Sequence, residues 1–594
     1  MTTYTAPLRD MRFALHEVFA AEKTLTALPG LEEVTADVMD AVLEECAKLC
    51  QDVLHPINQT GDAEGCTFKD GKVTTPKGFK DAYKQYAAGG WCGLTASPDF
   101  GGQGLPETLD YLVAEMVGSA NVSFGLYPGL TQGTILALGA HGTPEQKTVY
   151  LPKLVSGEWQ GAMCLTESHA GSDLGLLRTK AVPNGDGSYS VSGTKIFISA
   201  GEHDMAENIV HLVLAKLPDA PEGSRGISMF LVPKFIANSD GSLGKRNAVN
   251  CGSIEHKMGM KASVTCVMNF DGATGWLVGQ PHKGLAGMFT MMNKERLFVG
   301  SQGISQSELA YQNAAAYAKD RIQGRAADGP KRPDKPADPI IVHPDIRNRL
   351  LTARSVVEAQ RALALYAHMQ ADIAHRHTDA AAREKADDLV GLLTPIVKAS
   401  GTDFGSELTN MCLQVYGGHG YIKEWGLEQM VRDVRITQIY EGTNTIQALD
   451  LIGRKLGIAG GRLFKGFMAE TDAMLARVQG RNDLAEFTAP FKDARAKLVA
   501  VTQWIVEQSQ NDANLRGAVA NDYLRLFALT CMAWMWVLMA EKASAHKDGG
   551  DDFYATKIHV GRFFMHKVLP QIASLDGLIR TGSASSMALP EAAF

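Results

Sequence analysis

Apolar side chains change their spacing twice along this chain, and the two changes divide it. From Thr35, residues Val38, Ala41, Val42, Cys46 and Leu49 recur at i, i+3 and i+4, which predicts an amphipathic helix. A Gly/Thr/Pro-rich interruption covers Thr60 to Gly78, and TASPDFGGQGLP, at Thr95 to Pro106, cuts the pattern again as a loop. Helical spacing returns over Glu107 to Ala120. There NVSFGLYPGLTQG separates it from a further helical piece at Ile135 to Gly139. Near Trp159 the period shortens. Tyr189–Ser199, Ile209–Leu217, Gly226–Val232 and Val264–Phe270 are short runs rich in Val, Ile, Phe and Thr, divided by turns such as NGDG and PEGSRG. They read as antiparallel strands.

Helical patterning resumes at Gly284 and continues to about Ile458. The Pro- and charge-rich Gly324 to Pro344 must be a loop within it. Pro344 and Asp345 open a helix with Leu350, Leu351, Arg354, Val357 and Arg361 on one face. A second helix is expected from Thr402, as N-cap, through Phe404, Leu408, Met411, Cys412 and Val415. Another helical block follows Leu463. Its most apolar run, Phe527 to Ala540, is shorter than the roughly 20 residues that cross a bilayer and reads as a buried helix. The last residues, SASSMALPEAAF, read as a loose tail, and no fixed-period repeat is visible.

These patterns predict a mainly α fold with an inserted β-barrel or sandwich. Its segments are an amphipathic extension (1–34), a helical domain (35–158), a β domain (159–280), a helical bundle (281–460) and an additional helical domain (461–594). At 594 residues the chain exceeds a single ordinary core. A net charge of -7 gives no electrostatic reason for a polyanionic partner, so neither nucleic acid nor a membrane is expected. Nine cysteines are scattered without a CxxC pair or a zinc-like His cluster, and they read as reduced, buried thiols; no metal is expected. The N-terminal apolar residues are broken by Arg9, Arg12 and Glu17, unlike a signal peptide, so a cytoplasmic location is expected.

Candidate chemistry lies in five stretches. MCLTESHAGSD (Met163 to Asp173) has small residues, including Gly171, that let a ligand approach the backbone, and Thr166 and Ser172 can bond polar cofactor atoms; taken alone, it is as well read as a polar turn. GTKIFISAG (Gly193 to Gly201) places Phe197 and Ser199 on one side of a strand, where a planar ring could rest, although an isolated core strand looks the same. Arg321, in DRIQ at a helix end, could meet a pyrophosphate or simply be a solvated cap. QVYGGHGYI (Gln414 to Ile422) offers backbone N–H groups after a helix, with His419 better read as a structural hydrogen-bonder than as a base. Last comes RDVRITQIYEGTNTIQ (Arg432 to Gln447). Glu441 sits there between Tyr440 and Gly442, where partial desolvation would suit a carboxylate to take a proton; an isolated YEG is more simply a surface turn. Neither GxGxxG after a strand nor a Walker A sequence is present, so a dinucleotide-binding Rossmann domain is unsupported.

In their order and spacing these motifs resemble the acyl-CoA dehydrogenase family from about Thr35 to Ile458. LTE..AGSD, GxKxxIS, DRxQ, QxxGGxGY and RDxxIxxIYEGT are all present. The resemblance implies an N-terminal helical domain, a middle β-barrel and a C-terminal four-helix bundle. The N-terminal extension and the block after Leu463 are similar to the long-form branch acting on 3-methylthiopropionyl-CoA, in breakdown of dimethylsulfoniopropionate. FAD is the implied cofactor. Met163, Leu165, Thr166, Gly171, Ser172, Phe197, Ile198 and Ser199 are implied to contact the flavin, with Ser172 also near the CoA pyrophosphate. Arg321, Gln414, Gly417 and Gly418 would bind the ADP half of FAD on a neighbouring subunit, which requires a homodimer, and Thr443 and Thr445 would complete the cofactor contacts. Glu441 is implied as the catalytic base, with Gly442 beside the thioester and Arg296 on the helix next to the acyl-CoA.

Two departures stand out. Phe197 occupies a position where the family often has Trp, and the loop after Gln323 is longer than in short-chain relatives. Glu295 is a rival base, because some relatives use an acid on that helix, but the intact EGT turn favours Glu441. The implied reaction is oxidation of an acyl-CoA to its trans-2-enoyl form, with electron-transfer flavoprotein as acceptor. Three alternatives stay open: a short- or medium-chain fatty acyl-CoA dehydrogenase, an acyl-CoA oxidase, and a DNA-associated flavoprotein of the same fold. The balanced 14 Lys/Arg and 14 Asp/Glu after Leu463 weigh against the last.

Overall fold

A computed structural model describes residues 2–546 and 549–594. The chain forms two compact units. One comprises Met1–Glu44, Glu107–Glu115 and Val299–Phe594, and the other Glu45–Pro106 and Met116–Phe298.

The second unit holds the β domain. Its strands run from Trp159–Cys164 to Thr265–Val278, and the expected strands appear as Tyr189–Ser199, Asn208–Lys216, Ile227–Pro233 and Thr265–Val278. Lys180–Pro183 is a further strand. The order Thr265–Val278, Tyr189–Ser199, Lys180–Pro183, Asn208–Lys216, Ile227–Pro233 closes on itself, because Ile227–Pro233 pairs with both Asn208–Lys216 and Thr265–Val278. Closure removes the open edges of those five strands and makes the domain a small barrel. Pairing is not purely antiparallel as expected: Trp159–Cys164 runs parallel to Asn208–Lys216. That strand enters from a helix, Pro144–Val155, rather than through a hairpin, so no turn forces it antiparallel.

Several helical expectations shift. The Ala36–Leu49 helix buries Met39, Leu43, Cys46 and Ala47, whereas Val38 is exposed. The face is one position out of phase with the expected one, since Met39 and Leu43 bring more apolar area than Val38 and Ala41. Thr60 to Gly78 is not a bare interruption; it holds the end of the Asn58–Glu64 helix and a hairpin, Thr67–Lys69 with Lys72–Thr74, turning at Asp70-Gly71, both with positive φ. The break expected at NVSFGLYPGLTQG is confined to its first residue. Within Glu107–His141 two helices meet at a kink at Asn121, whose geometry is non-helical and whose side chain accepts from the Phe124 N–H at 3.0 Å to cap the second; the rest of the stretch is helical.

In the other unit the long helices Pro344–Arg376 and Ala380–Val415 pack together. Thr402 is not an N-cap. It lies mid-helix and fully buried, and Asp379 caps the true start by accepting from the Ala381 N–H at 3.1 Å. The expected apolar run lies in the Leu515–Ser544 helix. By length and composition that helix could cross a membrane, but 89% of its most apolar window is buried in the protein.

The extension 1–34 is built into the same unit. Phe13 is fully buried and meets the rings of Phe553 and Tyr554 at 5.4 and 6.2 Å, and Arg9 lies 3.9 Å over the Phe553 ring. Lys557, almost without solvent exposure, pairs with Asp10 and, at 2.9 Å, with Glu358 of the Pro344–Arg376 helix. One buried ammonium thus joins three distant parts of the sequence.

Candidate active site

The candidate residues fall in both units, and each set is built by its own local logic. In the barrel unit, the Trp159–Cys164 strand ends in a tight turn. Glu167 and Ala170 exchange backbone hydrogen bonds at 2.9 and 3.0 Å. The turn leaves Gly171 and Ser172 exposed and Thr166 and Met163 half-buried, with Leu165 buried. The Ile196 N–H donates to the Thr166 carbonyl at 2.9 Å, which brings the LTE turn and the GTKIFIS strand together.

Phe197 departs from simple alternation. Its φ is 58°, and the register slips where Cys266 and Met268 face Ile198 and Lys195. A bulge of this kind turns a side chain out of the pleat at a conformational cost of order 1–3 kcal/mol. The consequence is an aromatic ring 61% exposed beside the buried Ile198, with Ser199 half-buried.

Beneath the turn lies a pair to which the sequence assigned no role. Glu167 and Lys195 have side chains 4% and 0% exposed and meet at 2.8 Å. Glu167 also accepts from the N–H groups of Arg178 (2.7 Å) and Thr179 (3.0 Å) and from the Thr179 hydroxyl (2.6 Å). Lys195 donates to the Leu165 carbonyl at 2.9 Å. Burial pushes the Glu167 carboxyl up, but Lys195 and these donors outweigh it and hold it at about 2. The same burial draws the Lys195 ammonium below its usual range against the pull of Glu167. The buried ion pair therefore joins two motifs from below, where only their outer faces suggested chemistry. Elsewhere in this unit, on the Gly284–Asp320 helix, Glu295 is 4% exposed and Arg296 lies 5.5 Å from the Phe289 ring centre.

In the other unit, the Leu427–Arg435 helix gives way to a 3-10 turn at Ile436–Gln438 and then to Tyr440, Glu441 and Gly442. Glu441 is held at φ 55° and Gly442 at 82°. Two successive left-handed residues reverse the chain before Thr443 caps the Asn444–Gly453 helix, its hydroxyl oxygen accepting from the Ile446 N–H at 3.3 Å. The turn is gripped from the Ala380–Val415 helix. Lys398, fully buried, donates to the Gly442 carbonyl and to Asn444 Oδ1, both at 2.9 Å. Asn444 Nδ2 donates to Thr402 Oγ1 at 2.9 Å and to Asp403 Oδ1 at 2.6 Å, and Gln447 Nε2 reaches the Glu441 carbonyl at 3.2 Å. The Tyr440 hydroxyl donates to Gln302 Oε1. Thr445 is exposed, and its hydroxyl accepts from Asn521 of the Leu515–Ser544 helix at 3.2 Å.

The remaining two candidate motifs share one aromatic cluster. Tyr317 stacks on Tyr416 at 4.0 Å, and its hydroxyl bonds His419 Nδ1 at 2.9 Å, while His419 stacks on Trp425 at 4.5 Å. His419 is therefore a structural hydrogen-bonder. Arg321, exposed at the helix end, follows Tyr317 by one turn. Gly417, at φ 57°, and Gly418 are both exposed, and a Cβ at either would meet nothing within 4 Å. Such a bare backbone can accept a ligand at contact distance. Among the described residues no group of three His, Cys, Asp or Glu side chains is arranged to hold a metal.

Comparison with known proteins covers almost the whole chain. It matches "Acyl-CoA dehydrogenase, N-terminal domain" over residues 37–158, the middle domain over 162–273, the C-terminal domain over 282–457 and "Acetyl-CoA dehydrogenase C-terminal like" over 467–590. A 3-methylmercaptopropionyl-CoA dehydrogenase of Ruegeria pomeroyi is 42% identical over 96% of this chain and 97% of its own. The chain belongs to the acyl-CoA dehydrogenase family. A butyryl-CoA dehydrogenase of Syntrophomonas wolfei is 34% identical over 100% of this chain and 99% of its own. Among solved structures, a Bacillus anthracis acyl-CoA dehydrogenase complexed with FAD aligns at TM-score 0.74 and 21% identity, covering 92% of this chain and 88% of that one. That likeness supports the shared fold: helical domain, barrel, bundle and an added C-terminal domain. As a member of the family the protein is an oxidoreductase.

Proposed function

We propose that this protein oxidises an acyl-CoA thioester to the trans-2-enoyl-CoA, with Glu441 as the base that takes the α-proton. The observation that carries this reading is the Glu441 backbone. A non-glycine residue at φ 55°, followed by glycine at 82° and gripped by Lys398, Asn444 and Gln447, is an acid held in one costly conformation rather than a solvated turn residue. Gly442 leaves the thioester room beside it. The Glu441 backbone N–H is assigned to the thioester oxygen, where a preorganised donor is worth roughly 3–4 kcal/mol at the transition state.

FAD fits the residues present. Phe197 offers an exposed ring face, Thr166, Ser172 and Ser199 offer donors for polar edges, and Met163, Leu165, Gly171 and Ile198 shape the surface between them. Arg321 suits a pyrophosphate, with the bare backbone of Gly417 and Gly418 and nearby Gln414 for the adenosine end, supplied across a homodimer. Thr443 keeps its hydroxyl proton free to donate, because capping uses the oxygen as acceptor. When bound, FAD supplies the acceptor for the β-hydride. Arg296 is assigned to the acyl-CoA side, and Glu295 is read as a structural acid of its helix. Electron-transfer flavoprotein is the proposed acceptor of the electrons, and the location is read as cytoplasmic.

The proposed substrate is 3-methylthiopropionyl-CoA, placing the enzyme in dimethylsulfoniopropionate breakdown; support comes from the full-length similarity at 42% identity against 34% for the butyryl-CoA enzyme. Two measurements test the proposal. Glu441→Gln is expected to retain FAD yet lose about 10²–10⁴-fold in the rate at which anaerobic acyl-CoA bleaches it; normal bleaching sinks the base assignment. With an artificial electron acceptor, kcat/KM is expected to be higher for 3-methylthiopropionyl-CoA than for butyryl-CoA. The reverse order removes the substrate assignment while leaving the reaction intact.

A further inference from the structure

The Pro- and charge-rich segment between Gly324 and Pro344 is organised around one buried acid. The Asp338 side chain has no exposed surface. Its Oδ1 accepts from the N–H groups of Lys331 (2.9 Å) and Arg332 (2.7 Å) and from Arg325 Nη1 (3.3 Å), while Oδ2 accepts from the Ala326 N–H (3.0 Å). Arg325 extends the hub, donating to the carbonyls of Arg332 and Lys335 at 3.0 and 2.5 Å. A surface loop this polar has little apolar area to hold its shape; a carboxylate ringed by backbone donors supplies the order instead.

That order is transmitted to one residue. The backbone around Asp338 pairs with the segment leaving the helix. Gln323 N–H donates to the Asp338 carbonyl at 2.9 Å, Asp338 N–H donates to the Gly324 carbonyl at 2.9 Å, and Ile322 bridges to Pro339. Ile340 N–H donates to the Arg321 carbonyl at 2.7 Å, while the Arg321 N–H donates to the Tyr317 carbonyl at 2.8 Å. Arg321 is thus fixed on both sides of its own Cα while its side chain is exposed.

We infer that Asp338 is a positioning residue for Arg321: through the loop it organises, it sets the direction in which the guanidinium meets the pyrophosphate of FAD. The inference rests on the cofactor role proposed for Arg321. It accounts for a long loop immediately after DRIQ that is ordered by a charge at its centre rather than left as a plain linker.

The test is a double-mutant cycle on the intact holoenzyme, reading FAD affinity from the flavin fluorescence released on dilution. Arg321→Ala is expected to weaken FAD binding about tenfold or more, and Asp338→Asn about three- to tenfold. Joined to Arg321→Ala, Asp338→Asn is expected to add less than about twofold, because its effect passes through Arg321. At saturating FAD, kcat for Asp338→Asn should stay within about twofold of the parent. Undiminished weakening in the Arg321→Ala background means a general structural role and overturns the inference, as does normal FAD affinity in Asp338→Asn alone. If Arg321→Ala itself binds FAD normally, the cofactor assignment of Arg321 falls and the inference with it. Should Asp338→Asn fail to fold, Arg325→Met removes the outer donors of the same hub, with an expected two- to threefold weakening and the same non-additivity; full additivity there overturns the inference.

Discussion

Two fully buried lysines, one in each unit, each hold a turn that carries candidate site residues, and they work differently. In the barrel unit, Lys195 neutralises a carboxylate, Glu167, and the pair sits under the turn that carries Thr166, Gly171 and Ser172. In the bundle unit, Lys398 reaches neutral acceptors, the Gly442 carbonyl and the Asn444 side-chain amide, on the turn that presents Glu441. The first uses charge against charge to fix the proposed cofactor surface. The second directs hydrogen bonds at the backbone next to the proposed base. Losing one partner of a buried ion pair strands an unpaired charge, whereas the bonds from Lys398 to the Gly442 carbonyl and to Asn444 leave neutral acceptors behind when they are lost.

That difference gives the largest expected effect. Lys195→Met leaves Glu167 buried without its counter-ion and is expected to lower stability by about 3–5 kcal/mol, with loss of flavin from the purified protein. The pair changed together, Glu167→Gln with Lys195→Met, should recover part of that loss. Urea midpoints of the three proteins check this, and a double variant as unstable as the single would remove charge compensation as the explanation.

Next comes Lys398→Met. Two hydrogen bonds to neutral acceptors disappear, at about 1–2 kcal/mol each, so the stability loss should be smaller than for Lys195→Met. Its main effect is expected on kcat, by about 10–100-fold, through a loosened Glu441, with FAD content unchanged. Full flavin with slow bleaching distinguishes this from the Lys195 variant. Unchanged kcat breaks the contrast between the two lysines.

How much of this was legible in the sequence follows from the range of the forces involved. Strands such as Tyr189–Ser199 were readable because alternation is a local signal, and the start of the Pro344–Arg376 helix was readable because proline fixes its own φ. The bulge at Phe197 was not readable, since it arises from a register slip against Cys266 and Met268, about 70 residues away. Thr402 looked like an N-cap because its residue type favours caps. Its hydroxyl instead bonds back to the Lys398 carbonyl at 2.9 Å and faces Asn444, a partner 42 residues on. Glu167 and Lys195 were visible as letters inside two motifs, but their pairing spans 28 residues and leaves no periodic trace. Motifs displayed the residues proposed to face a ligand; the residues that hold those motifs became visible only with the fold.

The comparison can also be sharpened by pH, with a smaller effect. Glu167 is held at about 2, below its ordinary value near 4.5. Its folded form therefore binds the proton less readily than the unfolded chain. The stability it contributes is complete above about pH 4.5 and is lost as pH falls towards 2. The bonds from Lys398 to the Gly442 carbonyl and to Asn444 Oδ1 have acceptors that do not titrate in this range. The urea midpoint of the parent should fall more steeply between pH 5 and 3 than that of Glu167→Gln. Parallel profiles would show that the carboxylate under the turn does not set the acid limit.

The smallest expected effect lies where the added C-terminal domain touches the Glu441 segment. Asn521 donates to the Thr445 hydroxyl at an exposed position, four residues beyond Glu441. Removing it in Asn521→Ala takes away one solvent-competed hydrogen bond, worth about 0.5–1 kcal/mol at most. The buried grip of Lys398, Thr402 and Gln447 on the turn is untouched by that change, so kcat should move less than about twofold. A larger fall would mean that the turn is steadied from the added domain as well as from the Ala380–Val415 helix. The buried lysine would then be one of two supports for the proposed base rather than the principal one.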